Sequence, residues 1–186
     1  MSITLRLAAP EDVPALARLA EETFRETFVE GFAVGYPESD LNVFLTRSYA
    51  HDQVEGWIAD ASGLVMLAED GDGRLVGYSH AGENTLPYVH AEPGDGELKR
   101  IYVRREMQGT GLGRLLFEQA LGWFGDRTVL LGVWSENLKA QRFYAHYGFE
   151  KVGEYLFMVG ATADPEFILR RERPGRARPR QEHPAR

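Results

Sequence analysis

The chain has no cysteine. A disulfide framework, a thiolate metal site and a cysteine nucleophile are therefore excluded, which fits a reducing cytoplasmic setting. No apolar run is long enough to span a bilayer. Met1 to Leu7 alternate polar and apolar and then meet Pro10-Glu11-Asp12, unlike the basic start and apolar stretch of a secretory leader. No serine sits in a G-x-S-x-G elbow. The five histidines, His51, His80, His90, His146 and His183, never fall in a His-x-x-x-His spacing, so no metal is expected. Positive charge is also scarce. The net charge is -7, from 21 basic and 28 acidic residues. Five arginines and one glutamate lie in Arg173–Arg186, so removing that stretch leaves 16 basic against 27 acidic residues. Such a body repels phosphates, so neither nucleic acid nor a membrane is an expected partner. It suits a cationic amine.

What is present is enough for one core. The chain has 186 residues, 44% of them hydrophobic, and a domain takes about 100–200 residues. One domain over 1–172 is expected, followed by a Pro/Arg-rich tail, 173–186, expected to be disordered. A strand is expected at 3–8 and a helix at 11–29, with Val13, Leu16, Leu19, Ala20, Thr23, Phe24 and Phe28 on one stripe. A second helix is expected at 38–50, followed by an unassigned stretch to Ala61. Asp70-Gly71-Asp72-Gly73 joins a hairpin of Leu64–Ala68 and Arg74–His80. Residues 86–96 read as a loop and Glu97–Val103 as a strand. A glycine turn leads to a helix at 112–124, a buried strand at 128–134 and a helix at 137–147 stopped by Gly148. Strands close the chain near 151–159 and 166–171. The order is β-α-α-β-β-β-α-β-α-β-β. The expected fold is α/β, with a mixed and mostly antiparallel sheet carrying one βαβ unit.

The turn Gln108-Gly109-Thr110-Gly111-Leu112-Gly113-Arg114 follows a strand and opens a helix. Unpaired N–H groups at the positive end of a helix suit phosphate, and glycine lets the backbone approach closely. Neither G-x-x-x-x-G-K-[ST] nor G-x-G-x-x-G fits, because Arg114 stands where the next glycine is required. The pattern that does fit is Gln108-x-x-Gly111-x-Gly113.

Three linked segments keep order and spacing: Leu98-Lys99-Arg100-Ile101-Tyr102-Val103, the glycine turn, and Asn137 to Phe149 (NLKAQRFYAHYGF) after LLGVW. Together they resemble the GNAT superfamily of N-acetyltransferases, over about residues 3–171. Gly153 to Gly160 with Phe167-Ile168-Leu169-Arg170 resembles the closing region of the PaiA-type polyamine acetyltransferases. Those carry a Gln-Thr-Asp step where this chain has Ala163-Asp164-Pro165-Glu166. The resemblance implies acetyl-CoA as co-substrate, held in the splay between two parallel strands. Backbone groups of Ile101, Tyr102 and Val103 would line the pantetheine arm. Amides of Gln108, Gly109, Thr110, Gly111, Leu112, Gly113 and Arg114 would hold the diphosphate. Asn137, Ala140 and Tyr144 share one helix stripe and would face the same ligand, Asn137 serving equally as an N-cap.

The implied reaction is direct acetyl transfer to a small primary amine, with a homodimer possible. Tyr144 is expected to protonate the leaving thiolate, and Glu97 to act as base. Glu97 could instead pair with Lys99, and Glu83, Tyr88 and Tyr155 are alternates. The backbone N–H of Val103 could polarise the thioester carbonyl. One or two of Arg104, Arg105, Arg114, Lys139 and Arg142 could meet the 3′-phosphate. Acetylation of a protein N-terminus or lysine, and a non-catalytic CoA-binding module, are the alternative functions.

Overall fold

The computed structural model describes residues 2–173. The expectation of a disordered tail concerns residues that, from Pro174 onward, lie outside the described ones. The elements run β1 (Thr4–Leu7), a 3-10 turn (Pro10–Asp12), α1 (Val13–Phe24), a π-helical segment (Arg25–Gly31), α2 (Glu38–Ser48) and α3 (His51–Ala59). They continue with β2 (Leu64–Glu69), β3 (Leu75–Glu83), β4 (Gly96–Val103), a 3-10 turn (Arg105–Met107) and α4 (Leu112–Phe124). The chain closes with β5 (Val129–Trp134), α5 (Leu138–His146), β6 (Glu150–Val159) and β7 (Thr162–Arg171).

The start of α1 is set by charge. Arg6 donates to both oxygens of Asp12, at 2.6 and 2.7 Å, and Asp12 accepts the Ala9 N–H at 2.8 Å. The Arg6 hydrogen bonds hold the Asp12 carboxyl below its ordinary range. From there the apolar stripe Val13, Leu16, Leu19, Ala20, Phe24 is buried. The helix expected to run unchanged to residue 29 instead widens after Phe24 into a π-helix. Threonine explains part of this. Thr23 Oγ1 bonds Leu19 O at 2.8 Å and Thr27 Oγ1 bonds Thr23 O at 2.7 Å, and such back-bonding competes with the helical ladder. The unassigned stretch before Ala61 is a third helix, α3. It has one buried residue, Val54, too little periodic signal for the sequence to declare it.

The seven strands form one sheet in the order β1-β2-β3-β4-β5-β7-β6. Every neighbouring pair is antiparallel except β4 and β5. That parallel pair lasts for two positions, Gly96↔Val129 and Glu97↔Leu130. Directly afterwards the β3–β4 register steps from Ala81↔Leu98 to His80↔Arg100, leaving Lys99 as an extra residue. A bulge of this kind bends its strand and increases the local twist, here where β4 leaves β5. β7 begins earlier than expected, at Thr162, and so contains Pro165. The β5 register ends at Trp134↔Glu166, so Pro165 pairs with β6 alone. A missing N–H is tolerated at such an edge, and the Pro165 carbonyl accepts from Ser135 N at 3.0 Å.

α1 and α3 cover one face of the sheet, in a core that includes Leu67, Tyr78 and the half-buried Tyr102. α4 and α5 cover the other, with Leu98, Leu131 and Val133. Phe117 of α4 is fully buried at the centre of that second layer, packed against Phe143, Tyr144, Tyr147 and Phe149. Phe117→Ala should cost about 3–5 kcal/mol, read as a lowered midpoint in urea unfolding.

Candidate functional site

Beyond Glu97 and Leu130, β4 and β5 are no longer paired. The N–H of Arg104 donates to Val76 O on β3 at 2.9 Å. In an antiparallel ladder the outward direction alternates, so Tyr102 also bonds toward β3. The backbone groups of Ile101 and Val103 then point into the gap, where no strand takes them.

The glycine turn lies at the far end of this edge. Gly109 and Gly111 have φ of +81° and +91°, a conformation that side chains resist. Gly111 is the N-cap of α4, and the first intrahelical bond is Leu115 N–H to its carbonyl, at 3.0 Å. The N–H groups of Gly113 and Arg114 precede that bond and have no i−4 carbonyl, while Leu112 N–H reaches Thr110 Oγ1 at 3.4 Å. Nothing stands within 4 Å of where a Cβ would project from Gly109, Gly111 or Gly113. Exposed amides with clear space above them, at a helix N-terminus of 13 residues, form an anion cradle.

Asn137 caps α5: its Oδ1 accepts the Ala140 N–H at 3.0 Å. The capping role is therefore occupied, and the amide Nδ2 remains as a donor. Tyr144 lies two turns along, with its ring buried among Phe117, Phe143 and Phe149. Burial raises its phenol well above the ordinary value, and the charge of Glu166 adds to this.

The opposite face of the gap holds a cluster of acidic and aromatic side chains that the sequence did not show as one site. Leu131 and Val133 face α4 and α5, so the intervening Gly132 faces the other way. A Cβ there would collide with Tyr155 Oη and come within 2.6 Å of Glu166 Oε2. Tyr155 donates to that Oε2. Glu166 pairs across the ladders with both Tyr155 and Trp134. Trp134 meets Phe28 and Phe32 edge-on at 6.2 and 4.8 Å, and Tyr36 donates to the buried Asp164. The π-helical turn and the loop after it thus border the cluster. Of the alternates drawn from the sequence, Tyr155 reaches this place. Tyr88 instead lies over Gly153 and Arg170, and Glu83 stands at the end of β3 opposite Gly96.

Glu97 is buried at the root of the gap. Its Oε2 accepts from Thr85 N, Thr85 Oγ1 and Lys99 Nζ at 2.7, 2.8 and 2.9 Å. The pairing with Lys99 expected from the sequence is present. Three of the arginines proposed for a phosphate are committed elsewhere. Arg104 binds Glu22 and Glu26, Arg105 binds Glu30 and the Glu26 carbonyl, and Arg114 binds Glu118. Among the described residues no His/Asp/Glu group could hold a metal, and no helix is long and apolar enough to cross a membrane.

The carboxyl of Glu166, in this cluster, holds its proton unusually tightly. Desolvation raises it from 4.5 to about 7; nearby Asp164 adds to the rise, and the Tyr155 hydrogen bond opposes it. The folded state therefore keeps this proton to higher pH than the open chain does. Stability should fall as pH rises from about 4.5 to about 7, and Glu166→Gln should be spared that loss. Denaturation midpoints of both proteins at pH 5 and pH 8 check this: the advantage of the variant should grow with pH.

Residues 16–149 match the model of the GNAT acetyltransferase family. An uncharacterized N-acetyltransferase of Lactobacillus delbrueckii subsp. lactis is 32% identical over 164 residues, spanning 87% of this chain and 92% of its own. A mycothiol acetyltransferase of Rhodococcus jostii is 32% identical over 149 residues, and the match spans 48% of that longer protein. Among solved structures, the PaiA N-acetyltransferase of Thermoplasma acidophilum in complex with coenzyme A superposes with a TM-score of 0.71 at 21% identity, covering 92% of this chain and 99% of that one. The yncA protein of Salmonella typhimurium, a putative acetyltransferase with acetyl-CoA, superposes at 0.67 and 20% identity, covering 96% and 98%. With this match, the split parallel pair and the anion cradle in hand, the chain belongs to the GNAT family of acetyl-CoA-dependent N-acetyltransferases.

Proposed function

We propose that the protein moves the acetyl group of acetyl-CoA onto the primary amine of a small cationic, polyamine-like acceptor. The observation that carries the reading is the two-residue parallel contact between β4 and β5. It leaves an anion cradle at one end of a bare strand edge and an acidic, aromatic cluster beside it. Asp164 and Glu166 supply negative charge, while Phe28, Phe32, Trp134 and Tyr155 supply ring faces and edges. Carboxylates and aromatic faces together favour an ammonium ion.

In this reading the amides from Gln108 to Arg114 take the diphosphate. The backbone of Ile101 to Val103 takes the amide arm, with Ala140 and the free Nδ2 of Asn137 on the facing helix. The Val103 N–H points at the thioester carbonyl. The thioester supplies an activated acyl carbon with sulfur as its leaving group. Tyr144 keeps its proton by burial and has it ready for that sulfur. Glu97, the base suggested by the sequence, lies on the same face of the sheet as this cluster. Its Oε2 is already filled by Thr85 and Lys99.

A thiol-release assay with acetyl-CoA and a panel of polyamines, monoamines and lysine peptides tests the reading. Polyamines should react fastest. Preference for the peptides would move the function to protein acetylation, and coenzyme A binding without turnover on any amine would make the protein a sensor. Gly111→Ala should weaken coenzyme A at least tenfold by calorimetry, because an L-residue at φ +91° is strained by roughly 1–2 kcal/mol and tilts the cradle. Tyr144→Phe should lower kcat about tenfold or more with coenzyme A affinity nearly intact.

A further inference from the structure

Removing a proton from the incoming ammonium needs an acceptor that faces the gap and has a free lone pair. The deficit is large: an alkylamine resembles lysine, with a pKa of ~10.4. Glu97 is poorly placed for this. Three donors converge on its Oε2, one of them the Lys99 ammonium, and a cation there repels a second one.

Glu166 differs on each point. Its carboxylate lies over Gly132, on the β5 side of the split, where only the absence of a Cβ leaves room for it. A single donor, Tyr155 Oη, holds Oε2, and among the described residues no donor reaches Oε1. Titratable and charged groups face it from every side. These are Tyr155 of β6, Asp164 of its own strand, Tyr36 after the π-helix, Tyr102 of β4 and Tyr144 of α5, with Glu97 beyond Tyr155. All of these are acids; the nearby cations are engaged elsewhere, Arg100 lying 4.3 Å over the Trp57 ring and Lys99 being held by Glu97. A structural carboxylate in such surroundings would be expected to have more hydrogen bonds than this one.

We infer that Glu166, positioned by the Tyr155 hydroxyl and the missing side chain of Gly132, is the catalytic base that takes the proton from the acceptor ammonium, while Glu97 closes the root of the gap by holding Lys99 and Thr85. The inference rests on the acetyl-transfer reading above. Its balance is simple. One N–H proton of the ammonium passes to Glu166 Oε1 and from there to water. The nitrogen lone pair forms the N–C bond as the C–S bond breaks. The sulfur takes the Tyr144 proton, and the phenolate recovers the second proton from nitrogen. The products are the N-acetylamine, the free thiol and one proton. A base with a folded pKa of about 7 is half ionised near neutrality, as efficient proton transfer requires.

The test compares the full-length chain with Glu166→Gln, Tyr155→Phe and Glu97→Gln, using a polyamine acceptor across pH 6–9.5. Wild-type kcat/KM should carry an acid limb near 7. In Glu166→Gln, kcat/KM at pH 7 should fall about 10²-fold or more with coenzyme A affinity unchanged by calorimetry. The deficit should shrink as pH rises, and nearly vanish with an acceptor of low pKa such as a hydrazide, which needs no base. Loss of packing alone would persist at every pH and with both acceptors. Tyr155→Phe removes the hydrogen bond that favours the charged carboxylate, so its acid limb should move to higher pH. The assignment is overturned if Glu166→Gln keeps wild-type rates, if its deficit is the same for both acceptors, or if Glu97→Gln alone erases the limb. Absence of thiol release by the wild type with every amine would instead overturn the acetyl-transfer reading itself.

Discussion

The functional half of the molecule depends on a hydrogen-bond ladder that stops early. β4 and β5 share two register positions, then separate at the bulged Lys99. A sheet normally satisfies its backbone groups through the next strand. Here the N–H and C=O groups of Ile101 and Val103 are left at an internal edge, with no neighbouring strand among the described residues. The same separation opens a path through the sheet, so that groups from its two sides approach one another. Tyr144 comes from the α5 side and Glu166 from the other, close enough for the carboxylate charge to act on the phenol.

The surroundings hold this geometry rigid. On one side Phe117, Phe143 and Phe149 fix the Tyr144 ring. On the other, Arg104 ties the end of β4 to Glu22 of α1 and Glu26 of the π-helical segment. Arg104, Arg105 and Arg114 therefore act as braces, and under the proposed function phosphate recognition falls to backbone amides. Amides aligned by a helix are fixed partial charges that need no reorganisation on binding. A lysine or arginine would have to be ordered first.

The cluster around Glu166 combines two features that oppose each other. Burial of carboxylates is unfavourable, and the raised Glu166 proton affinity is the visible sign of it. Under the proposed function an arriving ammonium would relieve that cost, so that affinity for a cation and readiness to accept its proton would come from the same desolvation. The π-helical turn contributes by carrying Phe28, and Phe32 just after it, against Trp134, and π segments are frequent at such sites.

Local chemistry made the glycine turn and the two helix starts legible in the sequence. Glycines at 109, 111 and 113 before an apolar helical period, and Asn137 ahead of LKAQRFY, are signals carried by a few neighbouring residues, and the structure has a helix N-terminus at each. The apolar runs likewise fixed most elements, while the weakly periodic α3 and the π-helical widening of α1 escaped, because neither changes composition enough to be seen. The grouping around Glu166 was decided by tertiary structure alone. Gly132, Tyr155 and Glu166 come from three strands, and Tyr36 and Asp164 are 128 positions apart. No spacing rule links such residues. What brings them together is the register of β5 with β7 and of β7 with β6, and what gives Glu166 its character is the water excluded around it, a property of the folded packing that no single stretch of sequence contains.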